Sequence, residues 1–167
     1  MIWSWLKQHL WFNPQVWPMH IRNSPLGLRT LLVALEEQGY GETTGNNVTK
    51  YSETPGPWCA AFLCCCIKQA AAERRQPVPF ELSHGARKLY RNIGRAGEYV
   101  EEPVAGDVVA WKRGRSWHGH VGIIEHVDNS GLVHTVEGNV GKYPAVVRRL
   151  IHDPKHEPHL IGFARMP

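Results

Sequence analysis

Cys59 is the residue whose setting most favours chemistry. It lies in Pro57-Trp58-Cys59-Ala60-Ala61-Phe62, where a proline suited to a first helical turn precedes strong helix formers. The nucleophilic form of a cysteine is the thiolate, and the free amides and dipole of a helix N-terminus favour negative charge there. A neighbouring imidazole could hold the proton that the sulfur gives up. The candidate is His120, in Trp117-His118-Gly119-His120-Val121-Gly122-Ile123-Ile124, where it is the last polar residue before an apolar run. A base at the mouth of a buried strand is held rigidly yet still faces a cleft. An imidazole base needs a partner that fixes its tautomer and stabilises its charged form. Glu137 and Asn139, in Val133-His134-Thr135-Val136-Glu137-Gly138-Asn139, share a face if that run is a strand. Glu137 is expected to orient the ring, with Asn139 supporting it. The chemistry is acyl transfer through a sulfur nucleophile.

The elements that must position these groups can be read along the chain. Residues 1–25 form a Trp-rich arm holding Trp3, Trp5, Trp11 and Trp17, expected to pack against the remainder because aromatic side chains need cover. Residues 26–167 form one catalytic domain. Leu28, Leu31, Leu32 and Leu35 recur at helical spacing before Gly39, and residues 41–57 read as a long loop. The cysteine helix runs from Pro57 to about Arg74, with Cys59, Leu63, Cys66 and Ala70 on one stripe. A further helix is expected from Ser83, as cap, to Ile93, with Ala86, Leu89, Tyr90 and Ile93 inward. Beyond it the segments AGDVVAWK, HVGIIEHV, LVHTVEG, AVVRRLI and HLIGFARM suit strands of an antiparallel meander. The fold class is α+β, with the cysteine helix packed on a sheet of about five strands.

Cys64, Cys65 and Cys66 fan around a helix and read as packing residues, not as a disulfide framework or one ion's ligands. Without its partners, Cys59 would read the same way. His118 could be a second base, a substrate contact or half of a metal pair with His120. His126, His134, His152, His156 and His159 carry no liganding pattern and read as surface or strand residues. Asp107 is expected to shape the turn before its strand, and Trp111 to serve the core or line a groove. The second oxyanion donor is sought in the preceding loop, among Asn46, Asn47, Tyr51 and Thr54.

The formal charge of +4 favours an anionic partner such as nucleic acid, lipid headgroups or cell wall. Basic residues are scattered and not interleaved with aromatics, so nucleic acid is not expected. No stretch approaches the ~20 apolar residues of a membrane span, and Lys7-Gln8-His9 interrupts the apolar start before a secretory core length is reached. Synthesis in a reducing cytoplasm and a monomeric state are expected.

Four motifs in order, PWCAAF, AGDVVAW, GHVGII and VEGN, resemble the CHAP domain, the cysteine, histidine-dependent amidohydrolase/peptidase family. The resemblance runs from about Asn46 to the C-terminus. It implies a papain-like fold and hydrolysis of amide bonds in bacterial peptidoglycan, as an N-acetylmuramoyl-L-alanine amidase or a peptide-stem endopeptidase. It implies Cys59, His120, Glu137 and Asn139 as the catalytic set; Trp58, Trp117, His118, Asn47 and Tyr51, which lie near these motifs in the sequence, are the candidate substrate contacts. Trp58 stands where many relatives have a polar residue. Ser52, Glu53 and Thr54 do not form the acidic cluster with which some relatives bind calcium, so no metal or other cofactor is expected. A wall enzyme with no export signal implies delivery by phage lysis or by a toxin secretion system, and a toxin would need an immunity protein in its producer. The rival readings are a thiol amidase or isopeptidase acting on a non-wall amide, and a non-enzymatic zinc or binding module.

Overall fold

The computed structural model describes residues 25–42, 47–116, 118–142 and 144–167. The Trp-rich arm, apart from Pro25, lies outside the described residues, as do Asn46 and Trp117. Three helices, α1 (Leu26–Glu36), α2 (Cys59–Arg74) and α3 (Ala86–Ala96), precede six strands. These are β1 (Glu98–Val100), β2 (Val108–Lys112), β3 (Gly119–Val127), β4 (Val133–Val140), β5 (Val146–His152) and β6 (Leu160–Arg165). The architecture is the α+β fold of the papain-like kind expected from the sequence.

The strands form one antiparallel sheet in the order β1-β6-β2-β3-β4-β5. The expected meander accounts for β2 through β5. β6 does not extend it but returns to the free edge of β2, and the short β1 adds a sixth strand beyond β6. Asp107 explains how that return is fixed. Its buried carboxylate accepts the Val104 amide at 2.8 Å, closing the turn before β2, and takes two bonds from the Arg165 guanidinium at the end of β6, 2.9 and 2.8 Å. The two-pronged pairing sets register as well as attraction.

α2 is the central helix. Its first two turns are buried almost all round, from Cys59 to Cys64 and again at Cys66 and Ile67. Small residues make this possible, because alanine and cysteine let α1 on one side and the sheet on the other approach the helix closely. Gly138 on β4 shows how close: a Cβ there would stand 2.8 Å from the Phe62 side chain. α3 buries Ala86, Leu89, Tyr90 and Ile93 as its period dictates, and Ser83 Oγ accepts the Gly85 amide at 3.2 Å just before it. In α1, Leu31 is inward but Leu28 is 40% exposed, and the buried stripe runs through Leu26, Thr30, Val33 and Ala34 instead. Between sheet and helices lie Val108, Ala110, Val121, Ile123, Val136 and Val147. A smaller cluster of Val109, Trp111, Ile124, Val133 and Phe163 covers alternate residues of the same strands.

Candidate active site

Cys59 is the first residue of α2, and the first backbone bond of the helix is Phe62 N–H to the Trp58 carbonyl, 2.9 Å. The amides of residues 59–61 therefore have no acceptor within the helix and point out of its tip. What holds the tip in place is a buried aromatic pillar. Trp58 is fully buried, stacks on Tyr51 at 5.5 Å and donates its indole N–H to Glu42 at 2.8 Å. Tyr51 meets Phe62 edge-on at 5.2 Å and donates its hydroxyl to Glu37 at 2.6 Å. These contacts correct the expectation that Trp58 and Tyr51 touch substrate: both rings are spent on anchoring the helix, and their polar tips are satisfied inside the fold. The same burial removes Tyr51 from the candidate oxyanion donors.

His120 is the second residue of β3, opposite Trp111 on β2. Its Nε2 lies 2.6 Å from Glu137 Oε2, and a carboxylate only accepts, so the proton between them sits on the ring. Nδ1 is buried with no hydrogen-bond partner in line, and the ring lies against the Cys59 thiol, where each group alters the other's proton affinity. Nδ1 is thus the atom available to take the thiol proton. Glu137 is 1% exposed. Its other oxygen, Oε1, accepts the Thr135 hydroxyl and lies 2.7 Å from His152 Nε2. Glu137 reaches His120 because it lies across Gly122 of β3, where a Cβ would stand 2.6 Å from the Glu137 Cγ.

The electrostatics separate Cys59 from the other thiols. Burial raises the proton affinity of all four. For Cys59 that effect is outweighed by the close approach and charge of His120, by the Val121 amide and by the charge of Arg113, so its thiol titrates below the ordinary range. Burial wins at the rest, pushing Cys64 up to about 11 and raising Cys65 and Cys66 as well. His120 is disfavoured as a cation by burial, yet Cys59 and Glu137 together raise it to about 9. Burial likewise opposes ionisation of Glu137, but hydrogen bonds from His120, His152 and Thr135 and the charge of His120 bring it down to about 2. Imidazolium and carboxylate thus stand together at neutral pH, beside a thiol of lowered proton affinity.

Asn139 is not part of that row. The register of β4 and β5 breaks between Glu137 and Val140, and Asn139 adopts a left-handed backbone, φ 62°, so the period of two that would have put it beside Glu137 ends at Gly138. Among the described residues no hydrogen bond joins it to His120 or Glu137. It lines a hollow with Asn47, Pro57, Arg113 and Lys142. A second hollow, which shares Pro57, lies over Cys59 and is lined by His84, Gly85 and His118. His118 therefore lines the hollow over the sulfur, and Asn47 the neighbouring one. The contact missed in the sequence is His152, at the end of β5, which no spacing rule ties to residues of β3.

The profile of the CHAP domain matches residues 50–139, more than half of the chain. No curated protein matches. Among solved structures, the crystal structure of Ly7917 superposes with a TM-score of 0.57 at 16% identity, over 86% of this chain and 63% of that one. The structure of Ly7917 with the hydrolyzing product of MDP gives a TM-score of 0.55 at 16% identity, over 84% and 63%. The chain thus spans less than two thirds of the length of these neighbours, and the likeness is one of fold. With the profile covering the cysteine, the histidine and the glutamate in order, this chain belongs to the CHAP domain family.

Proposed function

We propose that the protein is a cysteine hydrolase of peptidoglycan that cleaves amide bonds, either between sugar and peptide or within the peptide stem. The observation that carries this reading is the row Cys59, His120, Glu137, in which the one thiol of four with lowered proton affinity sits at a helix tip facing an unpartnered imidazole nitrogen. His120 Nδ1 takes the thiol proton, and the sulfur attacks an amide carbonyl lying in the depression over Cys59. The Cys59 amide, unpaired at the helix tip, donates to the developing oxyanion. The His120 imidazolium then returns its proton to the leaving amine, and water, deprotonated by the same ring, releases the acyl group from sulfur.

The substrate assignment draws on membership of the CHAP family, on the neighbour Ly7917, solved with the hydrolyzing product of MDP, and on the cationic hollow that adjoins the depression over Cys59. Arg113 and Lys142 there suit the carboxylates of a peptide stem. A wall substrate lies outside the cytoplasm, and phage lysis or a toxin secretion system is the proposed route to it. In the second case an immunity protein in the producer would have this depression as its natural target.

Purified peptidoglycan incubated with the protein should release soluble fragments, and mass spectrometry of those fragments identifies the bond cut. Cys59→Ala and His120→Ala should each abolish release while leaving the circular dichroism spectrum unchanged. Wild-type turnover by Cys59→Ala would overturn the mechanism.

A further inference from the structure

We propose that His152, held as an imidazolium between Glu137 and Glu157, is a positioning residue for the catalytic base: it fixes Glu137 in line with His120 and offsets part of the carboxylate's charge. The proposal rests on the reading of Cys59 and His120 given above and extends it outward by two residues.

The argument is one of donors and acceptors. His152 Nε2 is 2.7 Å from Glu137 Oε1, and His152 Nδ1 is 3.1 Å from Glu157 Oε1. A neutral imidazole offers one donor and one acceptor, whereas an ionised carboxylate offers acceptors only. With a carboxylate oxygen on each side, both ring nitrogens must carry protons, so the geometry itself demands the cation. The surroundings agree. The Trp111 ring lies 4.7 Å from the His152 ring and 5.7 Å from the His120 ring, an aromatic surface shared by two imidazoles and favourable to positive charge. Burial lowers the proton affinity of His152, but the hydrogen bonds and charges of Glu137 and Glu157 raise it above the ordinary value.

Among the described residues, the groups in contact with the ring fit this role. From β4 come Glu137 and, on the same Oε1, Thr135. From the segment after β5 comes Glu157, from β2 the Trp111 indole, and from β3 His120 through the shared carboxylate. The sequence of charges from His120 outward therefore alternates: plus, minus, plus, minus. A buried carboxylate facing a single imidazolium would bind that proton so tightly that His120 would release it poorly to a leaving amine. The second imidazolium relieves this. It also anchors the one carboxylate oxygen that His120 does not use, so Glu137 cannot rotate away.

Removing a positive charge raises the proton affinity of every neighbour. His152→Gln keeps a donor for Glu137 Oε1 but carries no charge. The test follows alkylation of Cys59 by iodoacetamide across pH, with the modified residue identified by mass spectrometry, together with hydrolysis of peptidoglycan across pH. In His152→Gln the acid and alkaline limbs should both move up by roughly 1 pH unit. A purely structural contribution would scale the rates without moving the limbs, and unmoved limbs overturn the proposal. An independent readout needs no variant: nitrogen-15 NMR of the histidine rings in the intact protein should show His152 protonated on both nitrogens at neutral pH, and a neutral ring there also overturns it. In Glu157→Gln the His152 ring should titrate at lower pH than in the wild type. The underlying catalytic reading fails separately, if wild-type Cys59 shows no thiolate reactivity below the ordinary thiol range.

Discussion

Glu137→Gln tests the electrostatic role of the buried carboxylate, because the amide keeps the bond to the catalytic imidazole. Its oxygen can accept the His120 Nε2 proton, while its NH2, facing His152 Nε2, can pair with it only once that nitrogen has given up its proton, so the carboxylate charge and the cation beyond it are removed together. The magnitude follows from His120, which is raised from 6.5 to about 9 although burial opposes its charge. That displacement corresponds to ~3 kcal/mol in favour of the protonated ring. Cys59 and Glu137 supply it together, and because they must first overcome burial, their combined effect exceeds the net. An equal share leaves Glu137 with at least ~1.5 kcal/mol, which is about tenfold in the population of the thiolate–imidazolium pair. The assay is alkylation by iodoacetamide at about pH 6, where Cys64, Cys65 and Cys66 are silent because burial raises all three and only Cys59 reports. Glu137→Gln should slow that reaction about tenfold or more, with the loss recovered as pH rises and the thiol ionises unaided. Hydrolysis should fall at least as far, since the ring must also act as an acid later in the cycle. Alkylation of Glu137→Gln at the wild-type rate throughout the acid and neutral range would refute the reasoning, because the carboxylate would then contribute nothing to holding the His120 proton.

Asn139→Ala should leave the pH dependence of Cys59 alkylation unchanged, since the residue lies outside the charged row, and a change confined to KM for peptidoglycan would place it in substrate binding. Gly122→Ala puts a methyl group where Glu137 Cγ passes at 2.6 Å; it should lower the thermal midpoint by an amount equivalent to about 1–3 kcal/mol and depress Cys59 alkylation as Glu137 is displaced. Trp58→Phe leaves the buried Glu42 without its indole donor and should cost about 1–3 kcal/mol in denaturant titrations, with the limbs of the rate profile where they were. Glu137 is lowered from 4.5 to about 2, so the stability it contributes is full above its unfolded value and is lost as pH falls through about 2. That amounts to ~3 kcal/mol, and the acid decline in the thermal midpoint should be correspondingly shallower in Glu137→Gln.

What was legible in the sequence was local. Proline followed by strong helix formers marks the start of α2, and the apolar run after His120 marks a buried strand, so both ends of the Cys59–His120 contact are fixed by one-dimensional pattern. The stripe Cys59, Leu63, Cys66, Ala70 is buried as spacing requires, although the helix is covered on nearly all sides and not on one. Failures came where the outcome depends on who the neighbour is. A tryptophan before a candidate nucleophile and a tyrosine in a polar loop look like groove residues until Glu42, Glu37 and each other are seen to occupy them. Asn139 was misplaced by a single irregular residue, because alternation holds only while the ladder does. β6 was seen as a strand but not as a partner of β2, a pairing set by the Asp107–Arg165 bridge across 58 residues.

His152 is the sharper case, because nothing about residue 152 taken alone distinguishes it from nine other histidines. Its significance comes from a requirement that begins at Glu137. A carboxylate with 1% exposure cannot remain ionised on one hydrogen bond, since the loss of hydration costs several kcal/mol and both oxygens need donors. His120 serves one oxygen; Thr135 and a further donor must serve the other. Once the glutamate is known to be buried, donors for its second oxygen become a physical requirement, and the sheet supplies Thr135 and, from the strand beside it, His152. The same logic sets the limit of substitution along the row: each member is tolerable in the interior only while its neighbours hold opposite charge, so losses at Glu137 and His152 should combine non-additively. The double variant Glu137→Gln/His152→Gln is expected to alkylate no more slowly than Glu137→Gln alone, because once the carboxylate is neutral the outer cation has nothing left to offset.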